Sequence, residues 1–172
     1  YTFGDGFAAG HIWPEWPQIL AAVCNQPVIN YGYPGAGNDL IFSTAIDTAL
    51  ATTQPSTFII QWTRWNRFDK LLEDDSWDNT IQNDKKYSHA VYNINNKKWW
   101  LSSGSPQLHE YHTRYQQQTQ RQLFDIYHMM LLETFLKQRE HVCFYCLTYD
   151  FDTSVLTKKQ ITLLNQLPWI NK

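Results

Sequence analysis

Apolar and polar positions along the chain follow two different periods. Residues 1–3, 28–31 and 57–63 (TFIIQWT) are short apolar runs, β-branched and aromatic in character and too short for helices, and they predict strands. Val142–Leu147 predicts a fourth. The segments between them read as helices. Residues 13–24 predict one with Pro14 in its first turn, where a missing N–H costs nothing. Asn38 and Asp39 are capping residues for a helix to about Leu50, with Ile41, Phe42, Ala45, Ile46 and Ala49 on one face. Residues 107–140 predict a long helix in which Leu108, Tyr111, Tyr115, Leu123, Tyr127, Met130 and Leu131 recur at helical spacing and 116–122 form the solvated part. Residues 156–167 predict a last helix, stopped by Pro168.

Strands alternating with helices imply a parallel sheet covered on both faces, and the fold expected is a three-layer α/β/α sandwich with a short parallel sheet. At 172 residues the chain fits one domain with a proper core. Residues 64–105 break the alternation. They are polar and rich in Asn, Asp and Lys, with Trp77, Trp99 and Trp100 embedded. That length predicts an insertion after the third strand, either a lid over a site or a surface excursion whose tryptophans pack back on the body.

Composition narrows the function classes. Hydrophobic residues make up 43% and aromatic residues 16%, which suits a folded domain. The formal charge of −2, without a long basic run, leaves no electrostatic footprint for nucleic acid. No apolar stretch is long enough to span a membrane. The three cysteines, Cys24, Cys143 and Cys146, have no framework spacing and suit a reducing compartment. Cys143 and Cys146 match C-x-x-C but lie within a strand pattern, on opposite faces, and a lone pair is too few ligands for structural zinc.

The chain opens YTFGDGFAAG, an apolar run entering a glycine turn. Gly4-x-Gly6-x-x-Ala9 fits the relaxed dinucleotide-binding pattern, in which a pyrophosphate sits on a helix N-terminus. Pro14 and Pro17 fall where that helix would run, and the second strand ends Asn30-Tyr31-Gly32 without the acid that holds a ribose. More of the chain fits a cleft beyond the carboxyl ends of the strands. There stand Gly4-Asp5-Gly6, then the run from Asn30 through Gly35 to Asp39, then Thr63-Arg64-Trp65-Asn66-Arg67, then Asp150-Phe151-Asp152. Glycine N–H groups with an amide side chain are the parts of an oxyanion hole.

FGDGFAAG resembles the first block, G-D-S-x-x-x-G, of the SGNH (GDSL-type) hydrolases: Gly4, Asp5 and Gly10 match, and Gly6 occupies the position of the catalytic serine. Asn30-x-Gly32-x-x-Gly35 resembles the second block, and TFIIQWTRWN the third strand with the loop that bears the family's asparagine, although G-x-N-D is not there. The likeness covers about the first 70 residues, and WPEWPQILA and QWTxxNR look most like SGNH proteins of phages and marine bacteria. It implies an ester hydrolase acting on a small ester or an acylated glycan, plausibly a carbohydrate deacetylase, with no cofactor and no metal. Residue 6 would be the catalytic position, Gly6, Gly35 and Asn66 the oxyanion hole, and Asp5, Asn38, Thr63 and Arg64 supporting residues of the cleft, Asp5 orienting the first loop.

Gly6 has no side chain, so serine-dependent turnover is not expected of this chain. The family's closing D-x-x-H is not found after His141, as though the domain lacked its C-terminal end. The alternative expectation is a binding protein on the same fold, carbohydrate-recognising or a virion component, and hence cytoplasmic or virion-associated. Other groups read first as structural: Thr2 and Ser43 in predicted elements, Ser102, Ser103 and Ser105 in the insertion, His109 and His112 on one helix, and Asp150 with Asp152 as loop and cap residues. His11 is close enough to the first turn to reach the cleft. Trp13, Trp62, Trp65, Trp99 and Trp100 suit either sugar stacking or packing.

Overall fold

The computed structural model describes residues 1–9, 14–65, 67, 69–72, 91–101, 110, 114, 118–148, 154 and 156–167. Four strands, β1 (Thr2–Gly4), β2 (Asn30–Gly32), β3 (Thr57–Trp62) and β7 (Val142–Leu147), form a parallel sheet in the order β2-β1-β3-β7. Helices α1 (Trp16–Cys24), α2 (Asn38–Ala51), α3 (Gln118–Gln138) and α4 (Lys158–Leu164) flank it. The chain is therefore a mixed α/β protein with a parallel sheet, compatible with a three-layer sandwich. Among the described residues no helix is long and apolar enough to cross a membrane.

The two faces of the sheet differ. Side chains alternate along each strand, and one face carries Tyr31, Phe3 and Phe58 in a row. Phe3 stacks on Tyr31 at 5.5 Å and on Phe58 at 5.6 Å between centroids. Aromatic pairs of this kind contribute about 0.5–1.5 kcal/mol beyond the area they bury. Ile60 and Trp62 continue the row, and α2 and α3 cover it with Leu40, Ile41, Ala45, Ile126, Met129, Leu132 and Leu136. Among the described residues, the helix on the other face is the short α1. Val142 and Phe144 of β7 point out from it and are more than half exposed. Cys143 and Cys146 are free thiols on opposite faces of β7.

Several boundaries differ from the sequence reading. α1 starts at Trp16, not Trp13, with Pro17 in its first turn and Glu15 as N-cap. The α2 N-cap is Gly37, which has no side chain to offer; Asn38 and Asp39 turn to other partners. On α3 the buried stripe is Ile126, Met129, Leu132 and Leu136, while Tyr127 and Leu131 are exposed and Leu123 and Met130 half-buried. Arg121 and Asp125 also turn inward on this helix, Arg121 to meet Asp39 and Asp125 to meet Arg121. Leu108, Tyr111 and Tyr115 lie outside the described residues.

The polar insertion holds a second sheet. Strands β4 (Asp69–Leu72), β5 (Val91–Ile94) and β6 (Lys97–Leu101) run antiparallel in the order β4-β6-β5. Asn95 and Asn96, at φ 51 and φ 60, form the two-residue turn between β5 and β6. Trp99 and Trp100 are buried, and Ile94, Trp99 and Leu101 join the main core. The Lys97 Nζ donates to Asp47 at 2.7 Å and to Ser43 at 3.2 Å, fixing this sheet to α2. The described part of the insertion is thus docked on the body of the protein; Trp77 lies outside the described residues.

Two glycines let the first loop fold back on the sheet. A Cβ on Gly32 would lie 2.9 Å from the Ala8 carbonyl carbon, and one on Gly4 2.9 Å from Ala8 Cβ. Ala8 thus sits directly on the ends of β1 and β2, so Gly32→Ala must push the loop away. We expect it to cost about 1–3 kcal/mol, the usual effect of overpacking, read as a lower urea midpoint with an unchanged slope.

Candidate functional site

The carboxyl ends of β1, β2 and β3 meet around one buried carboxylate. Asp5 is 1% exposed and accepts four hydrogen bonds. The Phe7 N–H donates to Oδ1 at 3.0 Å and the Gln61 amide at 2.9 Å; the Thr63 hydroxyl donates to Oδ2 at 2.7 Å and Arg67 Nη1 at 2.6 Å. These donors come from the first loop, from β3, from the residue after it and from the loop toward β4. Gln61 also accepts from Trp16 Nε1 at 2.8 Å, which brings in α1. With its oxygens occupied in this way, Asp5 ties the first loop to β3 and to Arg67.

Asp5 folds the loop so that Ala8 N–H reaches the Asp5 carbonyl at 3.0 Å and Ala9 N–H the Gly6 carbonyl at 3.3 Å. Gly6 lies between them, buried, and its own N–H makes no hydrogen bond among the described residues. Buried N–H groups without a partner are rare in folded proteins. Gly6 is not in the left-handed region, so its lack of a side chain is not a backbone requirement. Gly35 differs, with φ 84, and ends the turn closed by Ala36 N–H on Tyr33 O at 3.0 Å. The helix of a dinucleotide loop does not follow this turn: α1 begins only at Trp16.

β2 is tied to the same loop. The Asn30 amide donates to Ala8 O at 2.6 Å and to Glu15 Oε2 at 3.0 Å, and its carbonyl accepts from Thr2 Oγ1 and the Gly32 N–H. On the other side, Asn38 and Thr63 form a two-way bridge: Asn38 Nδ2 donates to Thr63 O at 3.0 Å, and Thr63 N–H donates to Asn38 Oδ1 at 2.9 Å.

Asn38 leads to a second polar group between α2, β4 and α3. Arg121 lies 2.7 Å from Asp39 and 3.6 Å from Asp125. His128 lies 3.6 Å from Asp39 and stacks on Phe42 at 4.4 Å. Burial pushes the Asp125 carboxyl up to about 7, against the pull of Arg121 and, less strongly, of the Asn38 amide. Burial lowers the His128 imidazole, so it favours the neutral form. Asp69, the first residue of β4, is pushed up to about 7 by burial and by the nearby charge of Asp39.

Among the sequence-predicted residues, the structure brings Asp5, Gly6, Asn38 and Thr63 into one connected region and sets Gly35 at the end of β2. Arg64 is exposed, and Arg67 three residues on makes the contact with Asp5. Asn66, Gly10, His11, Trp13, Asp150, Asp152, His109 and His112 lie outside the described residues, as do Ser102, Ser103 and Ser105. Trp62 is fully buried and Trp65 half-buried, so Trp62, Trp99 and Trp100 are packing residues. Sequence reasoning did not single out Gln61, Arg67, Asp69, Arg121 or Asp125. Gln61, a polar residue inside an apolar strand, was the legible one. Among the described residues no group of three His, Cys, Asp or Glu could hold a metal ion.

A groove of about 760 Å³ lies at the other end of the sheet, lined by Leu20, Val28, Ile29, Ile59 and Phe144 among others. It is remote from the strand ends that carry the polar network. In comparisons with known proteins, no family model, no curated protein and no solved structure matches the chain.

The Asp5 cluster joins the ends of β1 and β3 and the loop toward β4, so its loss should be felt in stability as well as in the loop. Asp5→Ala leaves Gln61 and Thr63 donors buried and unpaired, and we expect a loss of about 2–3 kcal/mol in chemical denaturation. Arg67→Ala, whose guanidinium is 28% exposed, should cost about 1 kcal/mol or less.

Proposed function

We propose that this chain is an ester-hydrolase-like protein of SGNH type whose cleft receives the acyl group of a small ester or an acylated carbohydrate. The observation that carries this reading is the N–H of buried Gly6 at the end of β1, which has no hydrogen-bond partner among the described residues and lies in a loop fixed by Asp5. Such a donor suits a carbonyl or oxyanion oxygen. The left-handed Gly35 at the end of β2 supports it, as does the likeness of both loops to the family's first two blocks.

In a complete enzyme of this type a hydroxyl at residue 6 attacks the carbonyl while N–H donors hold the oxygen that becomes negative. Gly6 supplies the donor without the nucleophile. The activity assigned to this chain is therefore recognition of the acyl carbonyl without serine-dependent turnover. A second reading, carbohydrate binding with no part for the acyl group, draws on Phe7, which is 57% exposed beside Gly6 and offers a ring for stacking on a sugar.

Amide chemical shifts separate the two. Titration with an acetylated xylo-oligosaccharide should move the Gly6 resonance, while the deacetylated sugar should leave it in place. Equal responses to both sugars would favour plain carbohydrate binding, and an unmoved Gly6 resonance would remove the acyl-carbonyl reading. The same protein should hydrolyse p-nitrophenyl acetate no faster than buffer.

A further inference from the structure

The α2 helix is capped by a residue from another element. Its N-cap, Gly37, has no side chain, and the carboxylate of Asp69 from β4 takes over. One oxygen, Oδ2, accepts from the Gly37 N–H at 2.7 Å and from the Leu40 N–H at 3.0 Å. These are the two N–H groups that a capping box satisfies from within a helix. The other oxygen, Oδ1, is buried and has no hydrogen-bond partner among the described residues.

Asp69 belongs to a short strap. Two residues earlier, Arg67 reaches across to Asp5 at 2.6 Å. The strap passes so close to Gly37 that a Cβ there would lie 2.8 Å from Asp69 Oδ2 and 2.9 Å from the Arg67 carbonyl oxygen. Arg67 and Asp69 thus hold the strap to the first loop on one side and to the start of α2 on the other.

We propose that Asp69 is a proton-operated latch: with a proton on its orphan oxygen the strap lies docked on α2, and loss of that proton loosens the strap from the edge of the cleft. An anion with one unsolvated oxygen inside the protein is costly, whereas the neutral acid keeps Oδ2 as an acceptor for both N–H groups. The surrounding charges act in both directions. Asp39 on α2 opposes a charge on Asp69, while the Leu40 and Gly37 N–H groups and, more weakly, Arg121 on α3 favour it without overcoming burial. Arg121 also faces Asp125, and Asp39 faces His128, while Arg67 on the strap is paired with Asp5.

The sign follows from linkage. The docked carboxyl holds its proton up to about 7, and an undocked, solvated one releases it near the ordinary carboxylate value of 3.8. Docking is therefore strongest below the lower value and weakens as pH rises toward the higher one. This latch is independent of what the cleft binds and is read without any ligand.

Hydrogen exchange at the Gly37 and Leu40 amides, corrected for intrinsic base catalysis, reports the latch directly. Protection should fall by up to about tenfold per pH unit between about pH 5 and pH 7, as expected for one linked proton, and level off above. Asp69→Asn places a neutral amide where the acid would be and should make protection independent of pH. Unchanging protection in the native chain, or a slope that survives in Asp69→Asn, overturns the proposal. Should that variant fail to fold, the side-chain carboxyl carbon of Asp69 in the native chain decides: an NMR titration midpoint near neutrality supports the latch, and one below about pH 5 overturns it.

Discussion

The arrangement of the strand ends depends on one carboxylate that has been taken out of water. Asp5 accepts from a backbone N–H, an amide, a hydroxyl and a guanidinium. A buried charge is tolerated when it is this fully bonded, and leaving any donor behind would be costly. Three of these four donors lead on to another element. Gln61 holds Trp16 of α1, Thr63 holds Asn38 of α2, and Arg67 starts the strap into β4. The loop that presents Gly6 is therefore positioned from several directions at once, although only one residue, Gly6 itself, separates Asp5 from Phe7.

This construction separates binding geometry from chemistry. The features that orient the loop, namely Asp5, the Ala8 contact over Gly4 and Gly32, and the Asn30 bridge, do not need a side chain at residue 6. The loop can therefore keep its shape, and the Gly6 N–H its place, with glycine at residue 6.

Much of the fold was legible because its signals are local. β7 spans the residues its apolar run indicated, and β3 and α2 differ by a residue or so from their patterns. The second sheet was missed although Asn95-Asn96 is a two-residue hairpin signal; Lys97 and Lys98 beside the tryptophans made the segment look like a surface excursion. α3 was placed but turned the wrong way, since periodicity counts tyrosines as inward and cannot foresee that Arg121 goes inside to meet Asp39 and Asp125 to meet Arg121. The same limit applies at the site. Asp5 and Gly6 were visible through a motif, Asn38 and Thr63 by their place after strands. Nothing local distinguishes Arg67 from Arg64, because the choice depends on which guanidinium reaches a carboxylate 62 positions earlier in the chain.

The cap on α2 also bears on how the chain acquires its structure. Most helices carry their own start signal within a few residues, so the first turn forms as soon as the segment exists. Here the acceptor for the Leu40 N–H lies 29 residues downstream, and that for Gly37 lies 32 downstream. Without Asp69 the Gly37 and Leu40 N–H groups lose this acceptor, so the opening turn of α2 is completed only by a residue of another element.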